Sequence, residues 1–229
     1  IVATLGPATD TPEIIERLVN AGVDVVRLNY SHGTHEEQER RAEMVRAAAD
    51  KCGRVVGVLA DMQGPKIRTE RFIDGKIFLK EGDKFCLDAD MDPAAGTIEA
   101  VGITYKTLPK DVKPGNRLLL DDGRLLLDVV SVDGMKIHCT VVHDGYLSDK
   151  KGINLLGGGL SAPALTDKDK EDIKSAARIQ ADYIAISFPK TADDIVQARK
   201  LVRDAGGYGA IVSKIERAEA LDVIDEIIE

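Results

Sequence analysis

The sequence contains no tryptophan, and aromatic residues make up only 4% of its 229 positions. A core built without large rings must be filled by Val, Ile, Leu and Ala, a filling that suits parallel strands covered by helices. Cysteine is scarce as well. Cys52, Cys86 and Cys139 are odd in number and show no CxxC spacing, which argues against a disulfide framework or a structural zinc site and points to a reducing, cytoplasmic setting. No apolar run approaches the roughly 20 residues of a membrane span, and no segment has the composition of a secretory signal. Positive charge is in deficit: 31 Lys and Arg stand against 39 Asp and Glu, a formal charge of -8. Such a chain repels polyanions overall, so nucleic acid is not an expected partner. A small anion needs only a local cluster of cations and remains compatible.

Residues 1–64 alternate short apolar runs with amphipathic segments. Strands are expected at Ile1–Leu5, Val23–Leu28 and Val55–Ala60. Thr11-Pro12-Glu13 reads as cap, first position and first-turn acid of one helix. A longer charged helix is expected from Thr34 to Lys51, stopped by Gly53. Residues 65–163 change character: short alternating runs are separated by Asp74-Gly75, Glu81-Gly82, Asp122-Gly123 and Asp133-Gly134, which are hairpin punctuation. A small antiparallel β-barrel or sandwich is expected there, without helices. Residues 164–229 return to the βα pattern, with helices capped by Thr166 and Thr191, strands at Tyr183–Ser187 and Gly209–Ser213, and a last helix from about Arg217.

The fold class expected is therefore α/β: a (β/α)8 TIM barrel represented by about five strands, interrupted by an inserted β-barrel domain. Such a barrel closes with eight strands. The expectation is that this is the N-terminal part of a longer protein, with Ile1 already inside a strand.

In βα barrels the reactive residues lie at the C-terminal ends of the strands. Those ends carry Thr4-Leu-Gly-Pro7, Arg27-Leu-Asn29-Tyr-Ser31-His32-Gly33, Asp61-Met-Gln-Gly-Pro-Lys66-Ile-Arg68, Ser187-Phe-Pro-Lys190 and Ser213-Lys214-Ile-Glu216. Cations (Arg27, Lys66, Arg68, Lys214) and oxygen donors (Asn29, Ser31, Asp61, Glu216) share one rim, which by composition suits a phosphate and a hard metal ion.

The segments Arg27–Gly33, Asp61–Arg68, Lys151–Asn154 and Ser213–Glu216 resemble the signature segments of pyruvate kinases, and Thr4–Pro7 with Gly157–Ser161 are similar to the bacterial type II subgroup. The resemblance covers the whole chain. It implies phosphoryl transfer from phosphoenolpyruvate to ADP, giving pyruvate and ATP in glycolysis. It implies Arg27 and Lys214 as catalytic contacts to the phosphoryl group, and Glu216 as a ligand of Mg2+ or Mn2+. Asn29, Ser31 and Asp61 match a monovalent-cation site, while Thr4, Pro7, His32, Arg68 and Lys151 match nucleotide-side contacts. It further implies that the inserted domain acts as a lid and that the full-length protein is a homotetramer. Lys66 stands where potassium-requiring members carry Glu, so the resemblance implies that K+ is not required. A remaining metal-binding Asp and a catalytic Thr of the family lie beyond Glu229, so the fragment alone is expected to be inactive.

Two other readings compete. Metal-dependent oxo-acid aldolases and lyases also use TIM barrels, but the β insertion after Asp61 is not expected of them. A non-catalytic fragment retaining partial nucleotide binding is the other. Taken singly, residues have plainer roles: Arg27 as a partner of Asp24 or Glu43, His35 as an ordinary helix-start residue, His138 and His143 as structural, Gly157–Gly159 as a hinge, and Lys168–Asp172 as a solvated helix face.

Overall fold

The computed structural model describes residues 1–229. The chain opens with β1 (Val2–Leu5), a 3-10 turn (Pro7–Thr9), α1 (Pro12–Asn20), β2 (Val25–Asn29), α2 (His35–Cys52) and β3 (Gly57–Asp61). A β-rich stretch follows: β4 (Lys76–Leu79), β5 (Lys84–Asp88), β6 (Ala100–Gly102), the one-turn α3 (Leu108–Asp111), β7 (Arg117–Leu120), β8 (Leu125–Asp133), β9 (Lys136–His143), β10 (Gly145–Ser148) and β11 (Ile153–Leu155). The last part holds α4 (Asp167–Arg178), β12 (Tyr183–Ser187), α5 (Ala192–Asp204), β13 (Ala210–Lys214), a 3-10 turn (Ala218–Ala220) and α6 (Ile224–Ile228). Two compact units result: Ile1–Pro65 together with Pro163–Glu229, and Lys66–Ala162. No helix is long and apolar enough to cross a membrane.

The first unit is a five-stranded sheet in the order β1-β2-β3-β12-β13, every pair parallel. Val26, Leu28, Val58, Ala60, Ile184 and Ile186 are buried strand residues, packed in one core with Ile15, Val19, Val45, Ile173, Ala198 and Val202 from the helices. Local chemistry sets the helix ends. Thr34 and Glu37 exchange side chain-to-backbone hydrogen bonds at the start of α2, and Gly53, at φ 62, closes it in the left-handed region. Thr166 and Asp169 form the same box at α4. The last segment departs from expectation. Arg217 is extended and offers no capping oxygen, so only a 3-10 turn follows it, and α6 starts at Ile224.

The charge run Lys168–Asp172 is not a solvated face, because Asp169 and Asp172 are both buried. Asp169 is consumed by the cap at Thr166 and by the Gly64 amide, which donates to its Oδ1 at 3.0 Å. Asp172 accepts from Lys168 at 2.5 Å and lies 2.8 Å from Nε2 of His35. His35 is thus more than a helix-start residue: it ties α2 to α4.

The second unit has a six-stranded sheet in the order β11-β7-β8-β9-β5-β6 and a separate β10-β4 ribbon. Phe85, Leu87, Leu118, Leu120, Leu125, Leu127 and Ile137 are buried in its core. Its ladders are antiparallel except one. β5 and β6 run parallel, because the intervening residues 89–99 form an excursion long enough to bring the chain back in the same direction, which a tight hairpin cannot do. The one-turn α3, capped at its start by no side chain, also interrupts the β run.

Leu28 and Phe85 are almost fully enclosed, each in a different core. Leu28→Ala and Phe85→Ala are each expected to cost about 2–5 kcal/mol of unfolding free energy, read by chemical denaturation monitored by circular dichroism.

Candidate active site

Strand register brings the rim residues of the first unit together. Thr4 pairs with Arg27, Asn29 with Asp61, Asp61 with Ala185, and Ser187 with Lys214. All these positions sit at or near the C-terminal ends of adjacent parallel strands, so their side chains meet at one end of the sheet.

The centre of this end is Asp61, whose side chain is only 4% exposed. Arg27, from the strand on one side, approaches it with Nε at 2.7 Å and a terminal nitrogen at 2.6 Å from Oδ2. Lys214, from β13, places Nζ 3.1 Å from Oδ1. Arg27 therefore does not pair with Asp24 or Glu43 at the surface. Its second terminal nitrogen donates to the Thr4 hydroxyl at 3.1 Å. Lys214 also donates to Ser187 Oγ at 2.8 Å, and that hydroxyl donates to the Met62 carbonyl at 2.8 Å. Burying one carboxylate between two cations offsets its desolvation by charge-assisted hydrogen bonds.

Donor arithmetic shows what stays available. A guanidinium has five N–H groups and an ammonium three. Asp61 and Thr4 take three from Arg27, and Asp61 and Ser187 take two from Lys214. Both cations keep about a third of their side-chain surface exposed. Fixed cations with spare donors are suited to an anion with several oxygens.

Glu216 lies beside them, with Oε1 at 3.6 Å from Lys214 Nζ. Its Oε2 accepts from the Phe188 amide at 3.2 Å. Phe188 adopts φ 56, a backbone conformation uncommon for a bulky residue. No group of three or more His, Cys, Asp or Glu side chains converges as a metal cage. Glu216, about a third exposed, leaves a carboxylate accessible beside the two cations, and magnesium is commonly held by one or two carboxylates plus substrate oxygens. The donor set therefore fits an ion shared with substrate.

The β2–α2 loop carries the next group. Asn29 Oδ1 accepts from the Ser31 amide at 3.0 Å, and the Tyr30 amide donates to the Asp61 carbonyl at 3.0 Å. Tyr30 itself is buried; burial pushes its hydroxyl up to about 12, while the nearby Ser175 opposes the shift. His32 lies with Thr34, His35 and Lys168 around a shallow pocket of about 310 Å³. Pro7 opens the 3-10 turn after β1.

The remaining candidates belong to the second unit. Arg68 donates to the Lys150 carbonyl at 2.8 Å, and Lys151 pairs with Asp121 at 2.8 Å. The Lys66 carbonyl accepts from the Thr104 hydroxyl at 2.9 Å. Ser187 and Gly64 fall within the rim segments read from the sequence, but neither is given a role there. Ser187 follows from strand register alone, and Gly64 from its φ of 65 and from Ser187 Cβ, 2.7 Å from where its own Cβ would lie.

A parallel βα sheet with paired cations and an acid at its strand ends has the layout of the rim of a βα-barrel domain and is suited to an anion. The comparisons sharpen this. The pyruvate kinase barrel-domain family matches residues 1–229. The chain is 54% identical over 231 aligned residues to pyruvate kinase of Haemophilus influenzae and to pyruvate kinase II of Salmonella typhimurium, covering 100% of this chain and 48% of each relative. Pyruvate kinase of Staphylococcus aureus is 39% identical, over 100% of this chain and 39% of its own length. The chain belongs to the pyruvate kinase family, and it spans about half the length of the curated relatives it matches.

Asp61→Asn removes the charge shared by both cations. It is expected to lower stability by about 2 kcal/mol, the scale of hydrogen bonds to charged groups, in a denaturation titration. An unchanged midpoint would show that the two ion pairs contribute nothing net.

Proposed function

We propose that the intact protein carrying this chain is a pyruvate kinase, transferring the phosphoryl group of phosphoenolpyruvate to ADP to give pyruvate and ATP. The observation that carries the reading is the pair of cations, Arg27 and Lys214, held on Asp61 at the strand ends with donors to spare. The five strands are read as part of a (β/α)8 barrel and the β unit as the family's inserted small barrel, bounded near residues 65 and 163.

The chain's own groups would act as follows. Arg27 and Lys214 hold the transferred phosphoryl oxygens and match the charge that develops on them, which in phosphoryl transfer is the main catalytic lever. Asp61 and Ser187 keep both cations aimed while no anion is bound. Glu216 would hold Mg2+ (or Mn2+), which supplies charge stabilisation to substrate oxygens. Thr4, Pro7, His32, Arg68 and Lys151 are assigned to nucleotide contacts on the family resemblance. Asn29, Ser31 and Asp61 are assigned to the monovalent site, and Lys66 is read from the sequence as a cation standing in for potassium. The protein is assigned to the cytoplasm and to a homotetramer, with phosphoenolpyruvate and ADP or ATP as its ligands. The aldolase or lyase reading gains no support, since the β insertion and the family match accompany the rim. A piece restricted to these residues is read as inactive by itself.

The intact protein is expected to form pyruvate in a coupled assay. Lys214→Met should lower kcat about 100- to 1,000-fold, as loss of a transition-state charge partner does, in a protein that circular dichroism shows to be still folded. A wild type without turnover, or a fully active K214M, would overturn the reading. Removing potassium from the buffer should leave wild-type activity within about two-fold, a negligible free energy. A collapse by orders of magnitude would rule out the role given to Lys66.

A further inference from the structure

Helix α2 reads as charged throughout, yet two of its polar side chains are buried. Gln38 is 2% exposed and Arg41 is 6% exposed. Gln38 Nε2 donates to the Asn29 carbonyl at 3.2 Å and to the His32 carbonyl at 2.8 Å, using both of its N–H groups. Its Oε1 accepts from Arg41 at 3.4 Å. Arg41 then grips Asp10 with two prongs, at 3.1 and 3.0 Å, and Arg40 adds a third contact at 2.7 Å. Asp10 directly follows the Pro7–Thr9 turn. An unbroken series of hydrogen bonds thus runs from the β1–α1 loop, through α2, to the β2–α2 loop.

Gly33 makes this possible. At φ 77 it lies under the bridge, and a Cβ there would come within 2.5 Å of Glu37 Oε2 and 3.5 Å of both the Arg41 and Gln38 nitrogens. The Arg41 guanidinium also holds the Asp10 carboxyl below the usual carboxylate range. Well-packed apolar side chains often stabilise such positions as well as buried ion pairs do. What polar groups add is direction: each donor fixes one particular carbonyl or carboxylate.

We infer that Gln38, Arg41 and Asp10 are positioning residues that set the placement of Pro7 relative to His32, and thereby the affinity for ADP. The inference rests on the assignment of Pro7 and His32 to the nucleotide side. None of the three bridge residues touches substrate in this scheme; each acts through the backbone of the two loops. The side chains of the phosphoryl anchors Arg27 and Lys214 are held by Asp61, Thr4 and Ser187 and by none of the bridge residues, so phosphoenolpyruvate is expected to be spared.

The test is steady-state kinetics on the intact protein with each substrate varied separately. Gln38→Met keeps length and volume but removes both donors. It is expected to raise KM for ADP about ten-fold, the equivalent of one to two neutral hydrogen bonds, with KM for phosphoenolpyruvate within about two-fold of wild type. Asp10→Asn weakens the clamp and should raise KM for ADP about three-fold, the two effects being less than additive when combined because they act in one network. Equal changes in both KM values, or an unchanged KM for ADP with a lowered thermal midpoint, would overturn the inference in favour of a purely structural bridge. If Q38M does not fold, D10N is judged by the same criteria. If the wild type shows no phosphoryl transfer, the functional reading fails, and calorimetric titration with ADP decides the bridge: weaker binding by Q38M than by wild type supports it, whereas equal or absent binding overturns it.

Discussion

The C-terminal end of the first unit's sheet depends on one buried carboxylate. Asp61 ends the central strand of five; Arg27 reaches it from the adjacent β2 and Lys214 from β13, the next strand but one. Without it, a guanidinium and an ammonium would face each other across β3 and β12 with no opposite charge between them. With it, two like charges sit side by side at fixed positions. The parallel register makes this arrangement reproducible, because neighbouring strands end at the same level and present Arg27, Asp61, Ser187 and Lys214 in sequence across the sheet. The order of strands, more than any local motif, is what creates the site.

That dependence explains which features could be read from residues alone. Helix starts at Thr11, Thr34 and Thr166 were legible because a capping hydroxyl or a capping box is local chemistry. The C-terminal strand ends were legible as a rim once the βα alternation was recognised. The partner of Arg27 was not legible. Asp24 and Glu43 are nearer in sequence, and choosing Asp61 requires knowing that β3 lies beside β2. Strands β6, β10 and β11 have three or four residues each, too few for an alternation to declare itself, and the parallel β5–β6 pair breaks the hairpin logic of its surroundings. Polar residues gave the opposite error. Asp169, Asp172, Gln38 and Arg41 occur in polar runs that look solvated, and only tertiary partners reveal them as buried.

The same partners show how the loops of the first unit are disciplined. The Gly64 amide is held by Asp169 at the start of α4, and the Tyr30 carbonyl accepts from Lys168 at 2.8 Å. The β2–α2 loop and the stretch after β3 are thus both secured by one helical turn of α4. Helix α2 secures the β1–α1 loop through Asp10. Irregular backbone at the rim is therefore supported from below by regular elements, which lets the loops remain short of secondary structure of their own without losing definition.

Phe188 carries a different consequence. Its left-handed backbone points an amide at Glu216, and a bulky residue in that region bears a conformational cost of about 1–3 kcal/mol. Glycine would adopt the same angles freely, so the position has a more comfortable alternative within a few nucleotide changes. A chain selected for robustness alone would drift toward it and gain a looser carboxylate tether in exchange. Keeping an aromatic residue there sets durability against the aim of a single acid, and residue 188 is where laboratory selection for heat resistance would be expected to loosen the amide–Glu216 contact first.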